Sequence, residues 1–436
     1  MEPKEIVRTL EISGYEAYFI GGFVRDVLCQ KNPKDIDIVT SARPDDINRI
    51  FPFLCHIRGV GKSFGVMLVD DTEVATYRKD VYGGDKPIEY AMTLEEDTQR
   101  RDFTINALAM DSNGKIKDFH NGVSDLNNKI IRFIGDPNQR IYEDPNRMLR
   151  ACRFVAQLDF NLHDSTLCAI RNNSRLMSGV APERIRKELM TVLENVQNSS
   201  KFFTATFQSD ILKYIFKSMA KAIGLSQNKY HLESLFTHLM RAGDAIPTRK
   251  PLVKLAAYLH DTGKSYTKIF DSEKNDYTFL RHEQTGEKIV AKELTKLKFS
   301  NDEIQTVSKL VGLHMRSSMF GGKAVRKIMR KLDEYGLDYK DYLRMKFADK
   351  KAKYPFNPMP LAIAKKMVGG FYKVLDNNEP FSIRHLEVNG HDVMGILGIK
   401  PSPKVGEVLL KLFNRVLENP ELNKRDILLK LIVDFG

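Results

Sequence analysis

The sequence predicts an α+β protein in which a small N-terminal α/β head is followed by a long and almost entirely helical body. Over residues 1–120, segments with helical period alternate with short β-branched runs, and a glycine pair follows the first of these runs. From about residue 141 onward, amphipathic helical patterns succeed one another with few strand signals. At 436 residues the chain also exceeds one ordinary core, so several domains are expected.

The head is predicted as helix, strand, helix, strand, helix and hairpin, with a mixed sheet. The stretches are, in order, EIVRTLEIS, YEAYFIGG, GFVRDVLCQ, DIDIVT, RPDDINRIF and the paired strands SFGVMLVDD and TEVATYR. In the body, helices are predicted for PNRMLRACRFVAQL, PERIRKELMTVLENV, DILKYIFKSMAKAI, LVKLAAYLHDTGK and HEQTGEKIVAKELTKL. The prolines of FADKKAKYPFNPMP predict a joint before a helical tail, in which Gly398, Pro401 and Pro403 form a turn between a short and a longer helix.

Composition points to a cytoplasmic protein with a polyanionic partner. The formal net charge is +12, and such a surplus favours phosphate-rich ligands because counterions are released on binding. No run of eighteen uncharged apolar residues is present and the first residues lack an apolar signal core, so neither a membrane span nor secretion is expected. The four cysteines form no CxxC pair, which is typical of reduced thiols rather than a metal or disulfide framework.

Two aspartates interrupt the apolar strand DIDIV. The two-residue period of a strand places Asp35 and Asp37 on one face. Carboxylates this close repel each other unless a cation lies between them, and Mg²⁺ bound by carboxylates and substrate phosphates meets that need. Glu73, on the second hairpin strand, is either a third acidic group at this site or a surface residue near a turn.

The glycine pair before the second helix fits a triphosphate. Gly21 and Gly22 allow backbone amides to approach phosphates closely, and the helix N-terminus adds a positive dipole. Arg25 lies one turn into that helix, within reach of the same anion. Together with DxD on the next strand, this constellation resembles the nucleotidyltransferase superfamily of DNA polymerase beta, in which it binds NTP and metal ions.

A second charged pattern, EDPNRMLRACRF, predicts base selection. Asp144, Arg147, Arg150 and Arg153 recur every third residue and are expected on one helix face. Cytosine and adenine both present an amine donor beside a ring-nitrogen acceptor, which a carboxylate and a guanidinium complement. Uracil and guanine present the opposite order. Asp144 and Arg147 therefore suit selection of C and A without a nucleic-acid template, although an exposed charged helix face is the alternative.

Five stretches in order resemble the class II tRNA nucleotidyltransferases, the CCA-adding enzymes: IGGFVRDVL, PKDIDIVTSA, EEDTQRRDFTINALAMD, EDPNRMLRACRFVAQL and APERIRKEL. The resemblance covers roughly residues 15 to 190. It implies a polymerase-beta-like head (1–140), an all-helical neck (141–200), a body (201–352) and a tRNA-binding tail (353–436). It also implies Asp35 and Asp37 as catalytic ligands of Mg²⁺, and nucleotide contacts from Gly22, Arg25, Arg101, Asp144, Arg147, Arg150 and Arg153.

The body resembles the HD metal-dependent phosphohydrolase domain. The adjacent pair His260–Asp261 in YLHDTGK follows another histidine and precedes further imidazole and carboxylate groups, a mixture that suits a transition metal or Mg²⁺. The resemblance implies a divalent metal of unknown identity and phosphate-ester hydrolysis, with these ligands: His238, His260, Asp261, His282, His314 and Asp349.

Together these patterns predict an enzyme that adds C, C and A to tRNA from CTP and ATP, releasing pyrophosphate. Within the family, CC addition alone, A addition alone and poly(A) synthesis are the alternatives. The segment KDVYGGDKPIEYAMT, shorter than the loop that accompanies the change from CTP to ATP, keeps CC addition open. An HD-bearing protein uridylyltransferase would require UTP, which the Asp144–Arg147 pair disfavours, and an RNA-binding scaffold with dead sites would not keep both Asp35 and Asp37.

Overall fold

The structure is a computed structural model, and it describes residues 1–33, 35–56, 66–79, 89–228, 232–316, 322–353 and 359–435. The chain divides into two compact units, Met1–Val192 with Lys201–Tyr214, and Leu193–Ser200 with Ile215–Gly436. The finer division into head, neck, body and tail stays a prediction. Within the described ranges, no helix is both long and apolar enough to cross a membrane.

A seven-stranded sheet organises the first unit, and it is mixed, as predicted. Its order is β3-β4-β5-β2-β1-β8-β9, with β2 and β5 parallel and the other neighbours antiparallel. The head strands, including the separate pair β6 and β7, are β1 (Ala17–Ile20), β2 (Asp37–Thr40), β3 (Cys55–His56), β4 (Val66–Val69), β5 (Thr72–Thr76), β6 (Arg78–Lys79), β7 (Glu89–Tyr90), β8 (Ala109–Met110) and β9 (Ile116–Lys117). Every residue of β1 is buried, because this strand lies inside the sheet between β2 and β8.

Helices cover the sheet and continue beyond it. Up to residue 215 they are α1 (Pro3–Ile12), α2 (Gly22–Leu28), α3 (Pro44–Ile50), α4 (Leu94–Gln99), α5 (Gly122–Asn127), α6 (Pro137–Glu143), α7 (Asn146–Leu158), α8 (Asp164–Asn173), α9 (Pro182–Asn195), α10 (Ser200–Gln208) and α11 (Leu212–Ile215). Two further short strands, β10 (Ile130–Ile131) and β11 (Asn161–Leu162), pair in parallel beside α7. Short 3₁₀ helices lie at Thr104–Asn106 and Ser174–Gly179.

The second unit is mainly helical. Its helices are α12 (Lys217–Lys221), α13 (Leu235–Asp244), α14 (Pro251–Leu259), α15 (Lys264–Thr267), α16 (His282–Lys296), α17 (Asn301–Leu313), α18 (Gly322–Glu334), α19 (Tyr339–Ala352), α20 (Leu361–Asp376), α21 (Gly390–Leu397), α22 (Pro403–Glu418) and α23 (Arg425–Phe435), with 3₁₀ helices at Ile383–His385 and Pro420–Leu422. The predicted tail turn lies between α21 and α22, where Gly398 adopts a φ of +62°.

The α+β class is confirmed. The predicted run of helices in the body is interrupted in two places. A hairpin of β12 (Lys268–Asp271) and β13 (Asp276–Phe279) interrupts it. The predicted single helix DILKYIFKSMAKAI is broken at Phe216, whose backbone is extended at φ −131° and ψ 94°. Because the Phe216 side chain is fully buried, tertiary packing outweighs the helical period at this position.

Candidate functional site

Three carboxylates converge at the start of β2. Asp37 is the first residue of β2, and Asp35 lies two residues earlier, so the predicted strand DIDIVT begins later than expected. The parallel pairing of β2 and β5 places Glu73 directly opposite Asp37. Burial raises the pKa of the half-buried Asp37, the Glu73 and Asp35 carboxylates raise it further, and Arg101 opposes them. A divalent cation would relieve this repulsion, so the oxygen donors fit Mg²⁺.

The glycine pair forms a second wall of the same site. Gly21 has a φ of +72°, and a Cβ there would lie 3.5 Å from Nη1 of Arg101 and 3.8 Å from Oδ2 of Asp37. Nη2 of Arg101 donates to Asp97 at 3.2 Å, whereas its buried Nε has no hydrogen-bond partner among the described residues. A partly buried guanidinium whose Nε is an unused donor, beside a glycine turn, fits an incoming phosphate oxygen.

Side-chain hydrogen bonds connect this wall to α7. Nη1 of Arg25 donates to Oδ1 of Asn106 at 2.7 Å, and Nδ2 of Asn106 donates to Asp102 at 3.2 Å. Arg150 then donates to the other oxygen of Asp102 at 2.7 and 2.9 Å. The guanidinium groups of Arg25, Arg150 and Arg153 also lie 5.5, 5.8 and 4.2 Å from the ring centroid of Phe154. Arg25 and Arg150, two of the predicted nucleotide contacts, therefore belong to one network.

The predicted Asp144–Arg147 pair is only partly as expected. Arg147, Arg150 and Arg153 lie on α7, but Asp144 precedes the helix with extended backbone. Its carboxylate accepts two hydrogen bonds from Arg184, at 2.9 and 2.7 Å. Arg147 is buried, and its Nη1 donates to Glu143 at 2.6 Å. Each charge of the proposed base-selecting pair is thus held by its own counter-ion.

Sequence reasoning missed the residues that orient these groups. They are Asp102, Asn106, Glu143, Arg184 and Glu188, the last of which accepts from Arg153. All five lie inside the motif stretches quoted above, and four of them are charged. Opposite charges within a segment expected to be buried are the signal that would have revealed them, because buried ions require partners.

The second candidate site is a buried cluster of imidazole and carboxylate groups. Helix ends and helix faces supply its members: His238 from α13, His260 and Asp261 just after α14, His282 at the start of α16, His314 just after α17, and Asp349 from α19. Among the described residues, groups of three ligand atoms within 4.8 Å of one another occur only here, as His238–His260–Asp261 and Asp261–His282–His314. The head carboxylates are spaced more widely than this.

Asp261 lies between two histidine pairs. Its Oδ1 is 3.1 Å from Nε2 of His282 and 3.2 Å from Nε2 of His314. Its Oδ2 lies 3.4 Å from Nε2 of His260 and 3.7 Å from Nε2 of His238. Oδ1 of Asp349 also lies 3.3 Å from Nε2 of His238. All six predicted ligands therefore converge, with one carboxylate oxygen facing each pair.

The opposite ring nitrogens fix the orientation of three imidazoles. Nδ1 of His260, His282 and His314 lies 2.8, 2.8 and 2.6 Å from a backbone carbonyl oxygen. Donation from Nδ1 leaves Nε2 as a lone-pair donor toward the cluster, the arrangement typical of metal-binding histidines. Burial lowers the pKa of His260, but Asp261 and Asp349 outweigh it and raise the pKa to about 10. The donor set therefore fits a divalent metal that would replace this proton.

Two lysines adjoin the cluster and were not predicted. Nζ of Lys264 lies 2.6 Å from Oδ2 of Asp261, and Nζ of Lys346 donates to the backbone oxygen of His314 at 2.7 Å. Lys264 is the last residue of the quoted stretch YLHDTGK.

The loop invoked for the change from CTP to ATP lies largely outside the described residues, which omit 80–88.

Family models match three successive parts of the chain. The poly A polymerase head domain matches residues 17–132, a model described as the probable RNA and SrmB-binding site of polymerase A matches residues 159–223, and the HD domain matches residues 229–343. The head-domain model contains Asp35, Asp37 and Glu73, and the HD model contains every cluster residue except Asp349, which lies beyond its end.

Relatives and solved structures cover the whole chain. A CCA-adding enzyme of Enterococcus faecalis is 30% identical across 98% of this chain and 94% of its own length. One from Lactobacillus helveticus is 43% identical, but that match spans 42% of this chain and 48% of the relative. The Bacillus stearothermophilus CCA-adding enzyme in complex with CTP has a TM-score of 0.69 at 24% identity, covering 100% and 98% of the two chains. The Thermotoga maritima CCA-adding enzyme complexed with tRNA has a TM-score of 0.59 at 19% identity, covering 99% and 94%.

Proposed function

Because this chain belongs to the family of CCA-adding enzymes, we propose that it adds C, C and A to the 3′ end of tRNA from CTP and ATP, without a nucleic-acid template, and releases pyrophosphate. The observation that carries the proposal is the convergence of Asp37 and Arg101 on Gly21 at one end of β2, where an added Cβ would lie within 4 Å of both side chains. This arrangement supplies metal ligands and a phosphate-binding wall at one point. A tRNA substrate also supports the cytoplasmic location, which stays a prediction.

The chemistry assigned to the head is in-line attack of the tRNA 3′-hydroxyl on the α-phosphate of the incoming nucleotide. Asp35 and Asp37 would hold Mg²⁺, with Glu73 as a neighbouring carboxylate. In a two-metal mechanism, ions held there would lower the pKa of the hydroxyl and neutralise charge on the leaving pyrophosphate. Gly21, Gly22, Arg25 and Arg101 orient the triphosphate, and no covalent enzyme intermediate is required.

Base selection is assigned to Asp144 and Arg147. The Asp144 carboxylate accepts two bonds from Arg184 and one from the backbone N–H of Asn146, and it keeps acceptor capacity for the exocyclic amine of C or A. Arg147 donates to the adjacent ring nitrogen. Glu143 and Arg184 hold the two groups in place, which makes the protein itself the template.

Asp144→Asn is expected to relax this selection. An amide can turn its NH₂ toward the O4 of uracil, whereas a carboxylate cannot donate. We expect the ratio of kcat/KM for CTP over UTP to fall about 10- to 100-fold, the range of 1–3 kcal/mol for a bidentate base contact. Asp164→Asn makes the same chemical change on the exposed first turn of α8 and should leave the ratio unchanged. An unaltered ratio in Asp144→Asn would remove Asp144 from base selection.

Stepwise incorporation tests the proposed function. One tRNA transcript lacks the entire CCA end and another lacks only the final A, and each is incubated with one labelled NTP at a time and Mg²⁺. We expect C on the first transcript and A on the second, with neither U nor G on either. Incorporation of C alone would indicate a CC-adding enzyme, and no incorporation from CTP or ATP would contradict both assignments.

We further propose that the cluster around Asp261 binds divalent metal and hydrolyses phosphate esters or cyclic phosphates at RNA ends. The six ligands would hold the metal, which supplies a polarised water when bound. The carbonyl contacts of Nδ1 in His260, His282 and His314 would leave each Nε2 available to the metal. Lys264 holds one oxygen of Asp261 in place through its 2.6 Å contact.

A further inference from the structure

A buried carboxylate of α4 contacts the predicted phosphate-binding arginine and has no role in the function proposed above. Asp97 lies in the last turn of α4, and its side chain is completely buried. Arg101 follows just beyond the helix, and its backbone N–H still bonds to the carbonyl of Thr98 at 3.1 Å. The turn therefore continues and brings the side chains of Asp97 and Arg101 to one side. A buried carboxylate is costly unless it is well paired, so its partners indicate its role.

The two oxygens of Asp97 have different partners. Oδ1 accepts from Nε and Nη2 of Arg100 at 3.1 and 2.9 Å, and from the backbone N–H of Arg78 at 3.1 Å. Oδ2 accepts from Nη2 of Arg101 at 3.2 Å. Burial raises the pKa of Asp97, but Arg101 and Arg100 outweigh burial and hold the pKa below its ordinary value. Asp97 therefore presents a charged acceptor to Arg101 at neutral pH.

The orientation of Arg101 depends on this acceptor. Within the described residues, the contact with Asp97 is the one hydrogen bond that the Arg101 side chain makes. Its Nη1 lies toward the glycine turn, where a Cβ on Gly21 would be 3.5 Å away. A guanidinium is planar and rigid, so a bond that fixes Nη2 also fixes the directions of Nη1 and Nε. The contact with Asp97 therefore determines where the two remaining donor atoms lie relative to the glycine turn.

The position of this carboxylate is itself fixed by neighbouring elements. Arg78 belongs to β6, so the bond from its backbone N–H ties α4 to that strand. The carbonyl oxygen of Gln99 accepts from Nη1 of Arg140 at 3.3 Å. The carbonyl oxygen of Arg100 accepts from Nη2 of Arg147, also at 3.3 Å. Carbonyls at a helix end have no partner within the helix, so these bonds hold the end of α4 in place.

We propose that Asp97 is a positioning residue for nucleotide addition, which directs Arg101 at the phosphate chain of the incoming nucleotide and so sets the affinity for the triphosphate. The proposal rests on the proposed function, because that function supplies the triphosphate. A guanidinium that is oriented before the nucleotide arrives loses less side-chain entropy on binding. Every nucleotide carries the same phosphate chain, so the effect should be equal for every base.

Asp97→Asn keeps the size of the side chain but removes the charge that orients Arg101. We expect the Kd of CTP, of ATP and of pyrophosphate each to rise about tenfold, the smaller effect typical of losing a hydrogen bond to a charged group. The ratio of the Kd values for UTP and CTP should not change. Equilibrium dialysis of the full chain with Mg²⁺ and without tRNA measures all four constants.

A double-mutant cycle separates a positioning role from a general structural one. Because Asp97 is proposed to act through Arg101, Asp97→Asn/Arg101→Gln should bind CTP and pyrophosphate no more weakly than Arg101→Gln alone. Independent effects would instead multiply. A double variant whose loss equals the product of the two single losses would overturn the proposal.

Asp46→Asn is the matched control. Asp46 of α3 also accepts from a backbone N–H, that of Arg43, and from an arginine side chain, that of Arg49. This variant should bind all four ligands as wild type does. The melting temperature of each variant is followed in parallel. If Asp97→Asn does not fold, Asp97→Glu keeps the charge but moves the carboxylate, and it should raise the Kd of CTP, ATP and pyrophosphate by one common, smaller factor.

Wild-type Kd values in folded Asp97→Asn, or in Asp97→Glu where that variant is the one used, would overturn the proposal. So would a loss confined to CTP and ATP with pyrophosphate binding unchanged, because that result would place the effect at the base or the ribose. Failure of the proposed function is seen separately, as absence of C incorporation by a wild-type protein that binds CTP, and the binding comparison does not depend on it.

Discussion

Asp37→Asn is expected to lower the rates of C and A addition by more than about a thousandfold. The substitution preserves the size of the side chain but removes the negative charge at the point where β2 meets Glu73. Metal ions stabilise the transition state by several kcal/mol, and each 1.36 kcal/mol corresponds to a factor of ten in rate. Single-turnover addition to a tRNA lacking CCA, at saturating CTP and Mg²⁺, measures the effect.

The control for this substitution is Asp71→Asn. Asp71 lies in the turn between β4 and β5 at a φ of +66°, a conformation that asparagine also tolerates. We expect wild-type addition rates in this variant. Both proteins should retain the wild-type metal content of the Asp261 cluster, since that cluster lies in the other compact unit. Addition by Asp37→Asn within tenfold of wild type would contradict the assignment of Asp37 as a metal ligand.

His260→Ala is expected to weaken metal binding at the Asp261 cluster by more than about a hundredfold. Loss of a residue that only orients a metal ligand lowers metal affinity 10- to 100-fold. Because His260 is assigned as a metal ligand itself, its loss should cost more. Titration of metal-depleted protein with Mn²⁺, Ni²⁺, Zn²⁺ and Mg²⁺, followed by bound metal per chain and by the melting temperature, measures the loss. In wild-type protein, the metal that binds should raise the melting temperature because it binds the folded state alone.

His391→Ala is the matched control, since His391 is an exposed residue of α21 remote in sequence from the cluster. Its metal content and its response to added metal should equal those of wild type. A wild-type metal content in His260→Ala, or a wild-type protein that binds none of the four ions, would contradict the metal site.

Much of the head was predictable because the residues that specify each of its elements are neighbours in sequence. The apolar run DIDIV predicted a strand that carries Asp37, although Asp35 precedes that strand, and the glycine pair marked the start of α2. Glu73 could not be placed from sequence, because its position opposite Asp37 depends on the parallel pairing of β2 with β5, two strands that other elements separate along the chain. Sequence patterns fix which residues face one side of a strand, but not which strand lies beside it.

The charged partners of α7 show the same limit. Asp144 and Arg184 lie 40 residues apart, and Arg150 and Asp102 lie 48 apart. Residues this far apart in sequence belong to different helices or strands, so the period of one element cannot predict that they meet. What the sequence does contain is an excess of charge in segments that must be buried, and this predicts that partners exist without identifying them.

The body was predictable in outline, and the hairpin β12–β13 was missed despite a usable signal. KIFDSEKNDYTF contains two β-prone runs around polar turn residues, with Asn275 at a φ of +47°.

The metal cluster could not be predicted in the same way. Its six ligands come from five separate positions between His238 and Asp349, so their convergence followed only from the order typical of the family.

The 3′ sequence of the product tests the central claim most directly. A tRNA transcript lacking CCA is incubated with wild-type protein, Mg²⁺ and all four NTPs together, and the 3′ ends are sequenced. Selection by the protein predicts that C, C and A are added in that order and that extension then stops. Products that end in CC, that carry a run of A, or that contain U or G would contradict it.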